Sequence, residues 1–285
     1  MEHPHCRIGI DVGGTFTDFV LADRIAGRLV RYKEPSVPAD PSLSIERGLP
    51  PLIERAGIVP SDVELVVHGT TLALNAIIQR RGAKLGLVVS RGNRGVLEIG
   101  RAQLASAFSF LLQKEQPLVP RNLVSEVSAR LDPHGAVVAE TTEAELDAIA
   151  STFAAAKVDA VTVMLLHAYA NPEFEADIAA SLRGRLPGLT VTPSAAIWPE
   201  RREYERCLVA LMNAYVEPLM NDYLANSANA SGASVSRHPF TSPATTVGRL
   251  ASIQHGSGRS TPSCQVLPQA SSQHRWLPAR LATAT

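Results

Sequence analysis

Hydrophobic and polar residues alternate along the first part of the chain, and a period of two predicts β-strands. Three stretches separated by turns show this alternation: residues 7–12, 15–22 and 28–32. Gly13 and Gly14 form the first turn, where we expect a positive φ, because glycine adopts that conformation without steric cost. The chain therefore begins with a predicted β-meander.

A helix is predicted after the meander, and a pair of prolines is expected to interrupt it. Asp40 is placed to cap the helix and Pro41 to occupy its first position. Pro50 and Pro51 stand where the pattern would otherwise continue to Ala56. We expect a break there, because proline lacks the N–H group that a helix interior needs.

Short apolar runs and helical spacing then alternate, which indicates alternating strands and helices. A strand over residues 64–68, a helix over 70–81 and a strand over 84–89 predict a parallel βαβ unit. Further elements are predicted in this order: a short helix over 95–101, a hairpin over 123–139, a helix over 142–157 opened by a Thr142/Glu145 capping box, a strand over 158–166, a helix capped by Asn171 and Pro172, a strand over 189–192, and a long helix over 200–224 with a kink at Pro218. The predicted fold class is α/β with a mixed sheet.

Composition limits the partners of the chain. Its 285 residues include 27 basic and 27 acidic side chains, so there is no overall positive charge to attract nucleic acid. No apolar run approaches the roughly 18 residues that span a bilayer, and no secretory signal pattern opens the sequence. We therefore expect no nucleic-acid or membrane partner and a cytoplasmic location. Cys6, Cys207 and Cys264 are widely separated, which predicts buried thiols rather than disulfides, and no spacing indicates a metal cluster.

The last part of the chain differs in composition from the rest. Residues 225–285 contain no Asp, Glu or Lys and five Arg, and they are rich in Ser, Ala, Thr and Pro. Such a composition buries too little apolar surface to fold, so we expect a boundary at Leu224 and a disordered tail. Codons permitted for residues 235–248 also read, in another frame, as a strand followed by Asn-Gly-Gly, so we hypothesise that the tail is a frameshifted translation, with a naturally disordered tail as the alternative.

The first turn carries the sharpest candidate chemistry. Asp11 closes a strand, the backbone N–H groups of Gly13 and Gly14 can approach an anion, and the hydroxyls of Thr15 and Thr17 occupy alternate positions. Such a turn can hold a phosphate and, through the carboxylate, a hydrated Mg²⁺. An ordinary Gly-Gly hairpin with an exposed aspartate fits the spacing equally well. The patterns of a P-loop and of a dinucleotide-binding fingerprint are absent from the sequence.

The segment IGIDVGGTFTD resembles the opening of the hydantoinase A / 5-oxoprolinase family, and its turn resembles the first phosphate loop of the actin-like ATPase superfamily. Five further segments resemble the same family in the same order: HGTTLALN at residues 68–75, EIGR at 98–101, PLVPR at 117–121, HAYANP at 167–172, and REYER at 202–206 with NAY at 213–215. The resemblance covers residues 7–224. It implies a ribonuclease-H-like, actin-like ATPase lobe.

The resemblance also implies a function and its site. ATP and Mg²⁺ would be the cofactors, a cyclic amide such as 5-oxoproline or a hydantoin the substrate, and a hydantoinase B-type subunit a partner. Asp11 would lie near the Mg²⁺ and take part in catalysis. The implied nucleotide-binding positions are Gly13, Gly14, Thr15, Thr17, His68, Gly69, Thr70 and Thr71. For His68, a histidine packed at a helix start is an equal alternative, because the two threonines explain that terminus as caps.

The family pattern also predicts a division into parts. We expect an N-terminal domain at residues 5–195, the first helix of a second domain at 196–224, and the tail at 225–285. Because the tail contains no second phosphate loop, we expect an incomplete enzyme that binds nucleotide weakly. The alternatives are a non-catalytic truncated domain and a subunit of an ATP-dependent ketone carboxylase; the later segments argue against a kinase-like phosphotransferase.

Overall fold

The computed structural model describes residues 4–102, 116–234, 249–250 and 266–267 of the chain. The strands are β1 (Cys6–Val12), β2 (Phe16–Asp23), β3 (Arg28–Pro35), β4 (Val63–Thr70), β5 (Leu85–Ser90), β6 (Val124–Val127), β7 (Arg130–Leu131), β8 (Val137–Ala139), β9 (Ala160–Met164), β10 (Thr190–Pro193), β11 (Arg249–Leu250) and β12 (Val266–Leu267). The helices are α1 (Ser42–Ala56), α2 (Leu72–Ile78), α3 (Val96–Ile99), α4 (Glu143–Ala156), α5 (Pro172–Arg185), α6 (Ser194–Ile197) and α7 (Glu203–Ser234).

The first sheet has the strand order β3-β2-β1-β4 and confirms the predicted meander. β1, β2 and β3 are antiparallel neighbours, and β4 returns after α1 to lie parallel to β1. Buried and more exposed residues alternate along β1 and β2, as expected when one face of a sheet packs on a helix. That core joins residues of the strands to residues of α1, among them Ile8, Phe19 and Leu49. The predicted mixed sheet is this one.

The second sheet has the order β10-β9-β5-β6 and is parallel throughout. Every residue of β5 and of β9 is buried, which is the pattern of a parallel strand covered on both faces. The hairpin predicted over residues 123–139 is confirmed only at its turn, where β7 pairs with β8. The preceding strand, β6, belongs to the parallel sheet instead.

The predicted βαβ unit over residues 64–89 is wrong. Its two strands lie in different sheets, because β4 pairs with β1 and β5 pairs with β6 and β9. The connecting helix is also shorter than predicted, and α2 ends at Ile78. The apolar run of β5 needs neighbours on both faces, which the half-covered first sheet does not offer.

The predicted break in the first helix is also wrong, because α1 continues through Pro50 and Pro51. Each proline removes one backbone hydrogen bond, to the carbonyl four residues earlier. Those carbonyls belong to Glu46 and Arg47, which are exposed, so the two missing donors fall on the solvent-facing side of the helix. The helix is held in place by the buried side chains of its other face and ends at Gly57, which has a positive φ.

The longest helix, α7, begins at Glu203 and runs to Ser234, past the predicted end at residue 224, and it contains Pro218. It packs against α1, α2 and β9, and its Tyr223 is hydrogen-bonded to His68 of β4, so it contacts both sheets. The predicted tail lies mostly outside the described residues; there the structure describes the end of α7 and the antiparallel pair β11–β12. Among the described helices, none combines the length and apolar character that a membrane span requires.

Candidate functional site

The Gly-Gly turn and the HGTT segment meet at one edge of the first sheet. Because β1 and β4 are parallel, their carboxyl ends lie side by side, and Val12 is the register partner of Thr70. The hydroxyl of Thr70 donates to the carbonyl of Val12 at 3.3 Å, and the N–H group of Thr71 donates to the same oxygen at 3.4 Å. Two segments distant in sequence are thereby joined next to Gly13 and Gly14.

A cavity of about 250 Å³ opens at this edge. The turn, the loop before α1, helix α2 and one residue of α7 supply its walls. The described residues that line it are Val12, Gly13, Gly14, Ser36, Val37, Pro38, Pro41, Thr70, Leu72, Asn75, Ala76, Gln79, Arg81 and Leu219. Arg81 is the one charged residue in this lining, and the amides of Asn75 and Gln79 add hydrogen-bond donors. The cavity is therefore suited to an anion.

The two glycines of the turn have different structural roles. Neither has a positive φ, so the conformation expected from the sequence is wrong. The N–H group of Gly13 donates to the carbonyl of Phe16 at 3.1 Å, and a Cβ atom on Gly13 would lie only 3.0 Å from that oxygen. A Cβ atom on Gly14 would make an ordinary contact of 3.6 Å with Nδ2 of Asn75. Gly13 therefore permits the close backbone approach, while Gly14 keeps the cavity side of the turn open.

The two threonines after the turn differ in exposure. Thr15 is exposed and precedes β2, whereas Thr17 is fully buried and its hydroxyl lies 3.0 Å from that of Ser36. The hydroxyl of Ser36 donates to the carbonyl of Gly13 at 2.8 Å, and its N–H group donates to the carbonyl of Thr15 at 2.9 Å. Thr17 thus supports the turn from below, and phosphate contacts at both threonines stay predictions.

Asp11 lies on the outer face of the first sheet. It is exposed, and its register partners are Asp18 on β2 and Gly69 on β4. Its neighbour Val12 points to the opposite, buried face, because side chains alternate along a strand. Asp11 and Gly69 therefore lie near the carboxyl ends of β1 and β4 without lining the cavity. The predicted roles of Asp11 in Mg²⁺ binding and catalysis and of Gly69 in nucleotide binding stay predictions.

His68 packs in the core beneath the cavity. Its side chain is 1% exposed, and its Nε2 atom is hydrogen-bonded to the hydroxyl of Tyr223 on α7. Burial lowers the pKa of His68 to about 4, so the ring is neutral at physiological pH. Burial also raises the pKa of Tyr223, and hydrogen bonding with Ser227 and Thr70 opposes that shift. The packed-histidine alternative describes this position, and a nucleotide contact at His68 stays a prediction.

Several residues of the site were not predicted from the sequence as ligand contacts. Asn75 lies in the HGTTLALN segment, and its position in the predicted helix was the one sequence feature that could have placed it near the turn. Ser36, in the loop after β3, donates a hydrogen bond to the turn. Tyr223 is hydrogen-bonded to His68, which lies 155 residues earlier in the sequence. Only the tertiary structure brings Ser36 and Arg81 to the cavity and Tyr223 to His68.

The EIGR, HAYANP and REYER segments lie away from this cavity, beside the second sheet. In the EIGR segment, Glu98 contacts Arg121 and Arg101 contacts Glu205. His167 has a positive φ, and its N–H group donates to the carboxylate of Glu203 at 3.3 Å. These contacts connect the loops after β5 and β9 to the start of α7.

The comparisons with known proteins give this fold a class: an α/β region similar to part of an ATP-dependent caprolactamase and part of acetone carboxylase. The family model described as "Hydantoinase/oxoprolinase N-terminal region" matches residues 7–186. The chain belongs to this family, as the resemblance of its segments implied.

Individual relatives agree with the family. The chain is 34% identical over 230 residues to caprolactamase subunit alpha of Pseudomonas jessenii, covering 79% of this chain and 33% of the relative. It also resembles the crystal structure of the ATP-dependent caprolactamase from Pseudomonas jessenii, with a TM-score of 0.77 and 31% identity. Nucleotide-free acetone carboxylase gives a TM-score of 0.76 and 28% identity. Both structural matches cover 86% of this chain and 36% of the other, so the chain spans about a third of the length of these relatives.

Proposed function

We propose that the cavity at the carboxyl edge of β1 and β4 binds the phosphate groups of MgATP, and that this chain provides the ATP-binding region of an enzyme that opens a cyclic amide. One observation carries the proposal: the Gly13-Gly14 turn, Thr70 and Arg81 line a single cavity. In this proposal residues 5–195 form the N-terminal domain and residues 196–224 begin a second one.

The lining supplies what a phosphate needs. The glycine backbone allows a close approach, the side-chain amides of Asn75 and Gln79 offer hydrogen-bond donors, and Arg81 provides positive charge. Asp11, at the end of β1 on the neighbouring face, offers the carboxylate oxygen that Mg²⁺ prefers. The volume of about 250 Å³ is below the roughly 300–1,000 Å³ of pockets for whole ligands, so it suits the polyphosphate part of ATP.

ATP serves the chemistry of a cyclic amide directly. A ring amide is a poor electrophile, and transfer of the γ-phosphoryl group of ATP to its oxygen, with release of ADP, makes the carbonyl carbon more electrophilic. Water then adds to that carbon, the ring C–N bond breaks to give an amine and an acyl phosphate, and a second water releases phosphate and leaves a carboxylate. The catalytic contribution of the protein is then to position the phosphates and to neutralise their charge. A hydantoinase B-type subunit is the partner that the family resemblance favours, since one relative is named as the alpha subunit of a caprolactamase.

A ketone-carboxylating activity is the second candidate. The observation that favours it is the TM-score of 0.76 with acetone carboxylase, nearly equal to the 0.77 with caprolactamase. The two candidates share the ATP site and differ in the acceptor of the phosphate. Phosphate release should therefore be measured with 5-oxoproline, hydantoin, caprolactam and acetone plus bicarbonate, by the chain alone and with a candidate partner subunit. Release with a single acceptor class identifies the substrate class.

Nucleotide binding tests the site separately from turnover. We expect saturable but weak binding of MgATP, and Arg81→Gln should weaken it by about tenfold or more, because a charged hydrogen bond contributes roughly 1.5–3 kcal/mol. Arg31→Gln is the matched control, since Arg31 is exposed on β3 outside the cavity. Equilibrium dialysis with labelled ATP gives both affinities. Absence of saturable binding, or equal loss in the two variants, contradicts the proposed site.

The turn provides a second test. Gly14→Ala leaves the fold intact, because its Cβ atom meets Asn75 at an ordinary 3.6 Å, but the methyl group stands at the cavity. We expect weaker MgATP binding with unchanged thermal stability. Gly184→Ala, on the exposed side of α5 with open space around its Cβ position, is the control and should bind as the parent does.

A further inference from the structure

Three side chains with different metal-binding atoms meet where β1 begins and β2 ends. The imidazole of His5, the thiol of Cys6 and the carboxylate of Asp23 each offer one donor atom, and these atoms all lie within 4.8 Å of one another. Cys6 and Asp23 are register partners across β1 and β2, so their side chains point to the same face of the sheet. The sequence hides this cluster, because only the antiparallel pairing brings Asp23 to the start of the chain.

The carboxylate is fixed in place by other groups and still has room for a further bond. One oxygen of Asp23 accepts the N–H groups of Ile25 at 3.1 Å and Ala26 at 2.9 Å, and the other accepts Nε of Arg28 at 3.3 Å. A carboxylate offers about four lone-pair sites, so at least one remains after these three bonds. Hydrogen bonds of this kind orient metal-binding carboxylates in proteins.

Burial and accessibility also suit an ion. Cys6 is fully buried and Asp23 is 6% exposed, whereas the side chain of His5 is 17% exposed and opens the cluster to solvent. Nε2 of His5 lies 3.7 Å from the nearer oxygen of Asp23. Ligand bonds to Zn²⁺ of about 2.0–2.3 Å place neighbouring donors roughly 3–3.5 Å apart, so the three donors need to close by about 1 Å.

We propose that His5, Cys6 and Asp23 bind a divalent transition metal ion, with Zn²⁺ favoured by this set of nitrogen, sulfur and oxygen donors. A thiolate and a carboxylate together balance the charge of the ion, and water completes a tetrahedral arrangement from the solvent side of His5. The ion ties the first strand to the second at the end of the sheet opposite the Gly-Gly turn. Since β1 has 7 residues, the two sites are roughly 20 Å apart, and the metal site is independent of the proposed ATP site.

Cobalt titration of the metal-free chain tests the site, because Co²⁺ bound to a thiolate gives a charge-transfer band in the near ultraviolet. We expect this band to saturate at one Co²⁺ per chain, to disappear on addition of Zn²⁺, and to be absent from Cys6→Ser. Cys207→Ser is the matched control, because Cys207 is the other buried thiol among the described residues and lies outside the cluster.

His5→Ala keeps the test valid if Cys6→Ser disturbs the core, since His5 is partly exposed and precedes the strand. It should weaken Co²⁺ binding by about tenfold or more while the circular dichroism spectrum stays that of the parent. Zn²⁺ should also raise the melting temperature of the parent and not that of His5→Ala, because binding to the folded state alone adds to its stability. A parent chain without the band, a band retained in Cys6→Ser, or unchanged affinity in His5→Ala overturns the proposal.

Discussion

The two sheets of this chain are covered to different extents. The first sheet packs one face on α1 and leaves the other outward, where Phe16 and Val20 of β2 and Leu29 of β3 are exposed. The second sheet contributes β5 and β9, in which every residue is buried. The candidate ATP cavity lies at the edge of the first sheet, where backbone and polar groups remain accessible. The half-covered sheet therefore carries the accessible site, and the covered sheet provides a rigid support.

The buried polar groups around the second sheet stabilise the fold and do not form a binding site. The carboxylate of Glu175, at 0% exposure, accepts the N–H groups of Leu165 at 2.8 Å and Ala195 at 2.7 Å and the hydroxyl of Ser194 at 2.8 Å. Arg206 is equally buried, and its guanidinium donates to the same hydroxyl at 3.0 Å and to the carbonyl of Leu165 at 2.7 Å. This network links the ends of β9 and β10 to the start of α7.

The largest effect is expected from breaking this network. Glu175→Ala leaves three donors without their acceptor and removes a carboxylate that faces the buried guanidinium of Arg206. Among the described residues, Arg206 then keeps only Glu203, at 3.8 Å, as an ion-pair partner. We expect a loss of about 3–5 kcal/mol in the free energy of unfolding, measured with urea. Glu143→Ala removes an exposed partner of Arg185 and should cost at most about 1 kcal/mol. If the two variants lose similar amounts of stability, the buried network of Glu175 and Arg206 does not stabilise the region around the second sheet as proposed.

Sequence patterns predicted local structure well because local physics determines it. The capping box of α4 is confirmed, with the hydroxyl of Thr142 accepting the N–H group of Glu145 at 3.2 Å. The cap of α5 is confirmed in the same way, since the side chain of Asn171 accepts the N–H group of Phe174 at 3.3 Å. Alternation also located the meander. Each of these signals depends on residues a few positions apart.

Long-range pairing was outside the reach of these patterns. An apolar run such as β5 does not specify which sheet it joins, so the βαβ prediction placed it beside β4. The candidate site depends on the same kind of information. Gly13, Gly14 and Thr70 were predicted by resemblance, whereas Ser36 and Arg81 reach the cavity only through the tertiary fold. The carboxylate of Asp23 beside Cys6 was missed for the same reason.

A pH dependence is expected from His68 beneath the cavity of the first sheet. Its pKa is lowered from 6.5 to about 4 by burial, so between these values the unfolded chain binds more protons than the folded one. The contribution of His68 to stability therefore falls by about 3 kcal/mol in total as the pH is lowered from about 6.5 to 4. His68→Gln removes this contribution, so its urea-derived stability relative to the parent should rise by about that amount over the same interval. His134→Gln, at an exposed turn, should follow the parent, and a difference between His68→Gln and the parent that does not change with pH contradicts the prediction.

Glu217 on α7 is expected to give the opposite slope. Burial raises its pKa from 4.5 to about 7, so the folded chain binds more protons than the unfolded one in this interval. The contribution of Glu217 to stability should fall by about 3 kcal/mol in total as the pH rises from about 4.5 to 7, which opposes the contribution of His68 in the parent. Glu217→Gln keeps the shape and removes the charge, and it should abolish this part of the profile. Glu173→Gln, on the first turn of α5, is the exposed control.

The smallest effects on stability are expected from two glycine substitutions. They test how tightly a helix packs on its sheet, which is a separate question from how much of the sheet it covers. A Cβ atom on Gly48 of α1 would lie 2.3 Å from the ring of Phe19, so Gly48→Ala should cost about 1–3 kcal/mol despite the outward face of the first sheet. A Cβ atom on Gly184 of α5 meets open space. Gly184→Ala should therefore gain about 0.5–1 kcal/mol, because alanine favours a helix more than glycine does. Thermal unfolding of both variants measures the two signs. If Gly48→Ala is neutral, α1 packs loosely on the first sheet, and incomplete coverage then extends to its inner face as well.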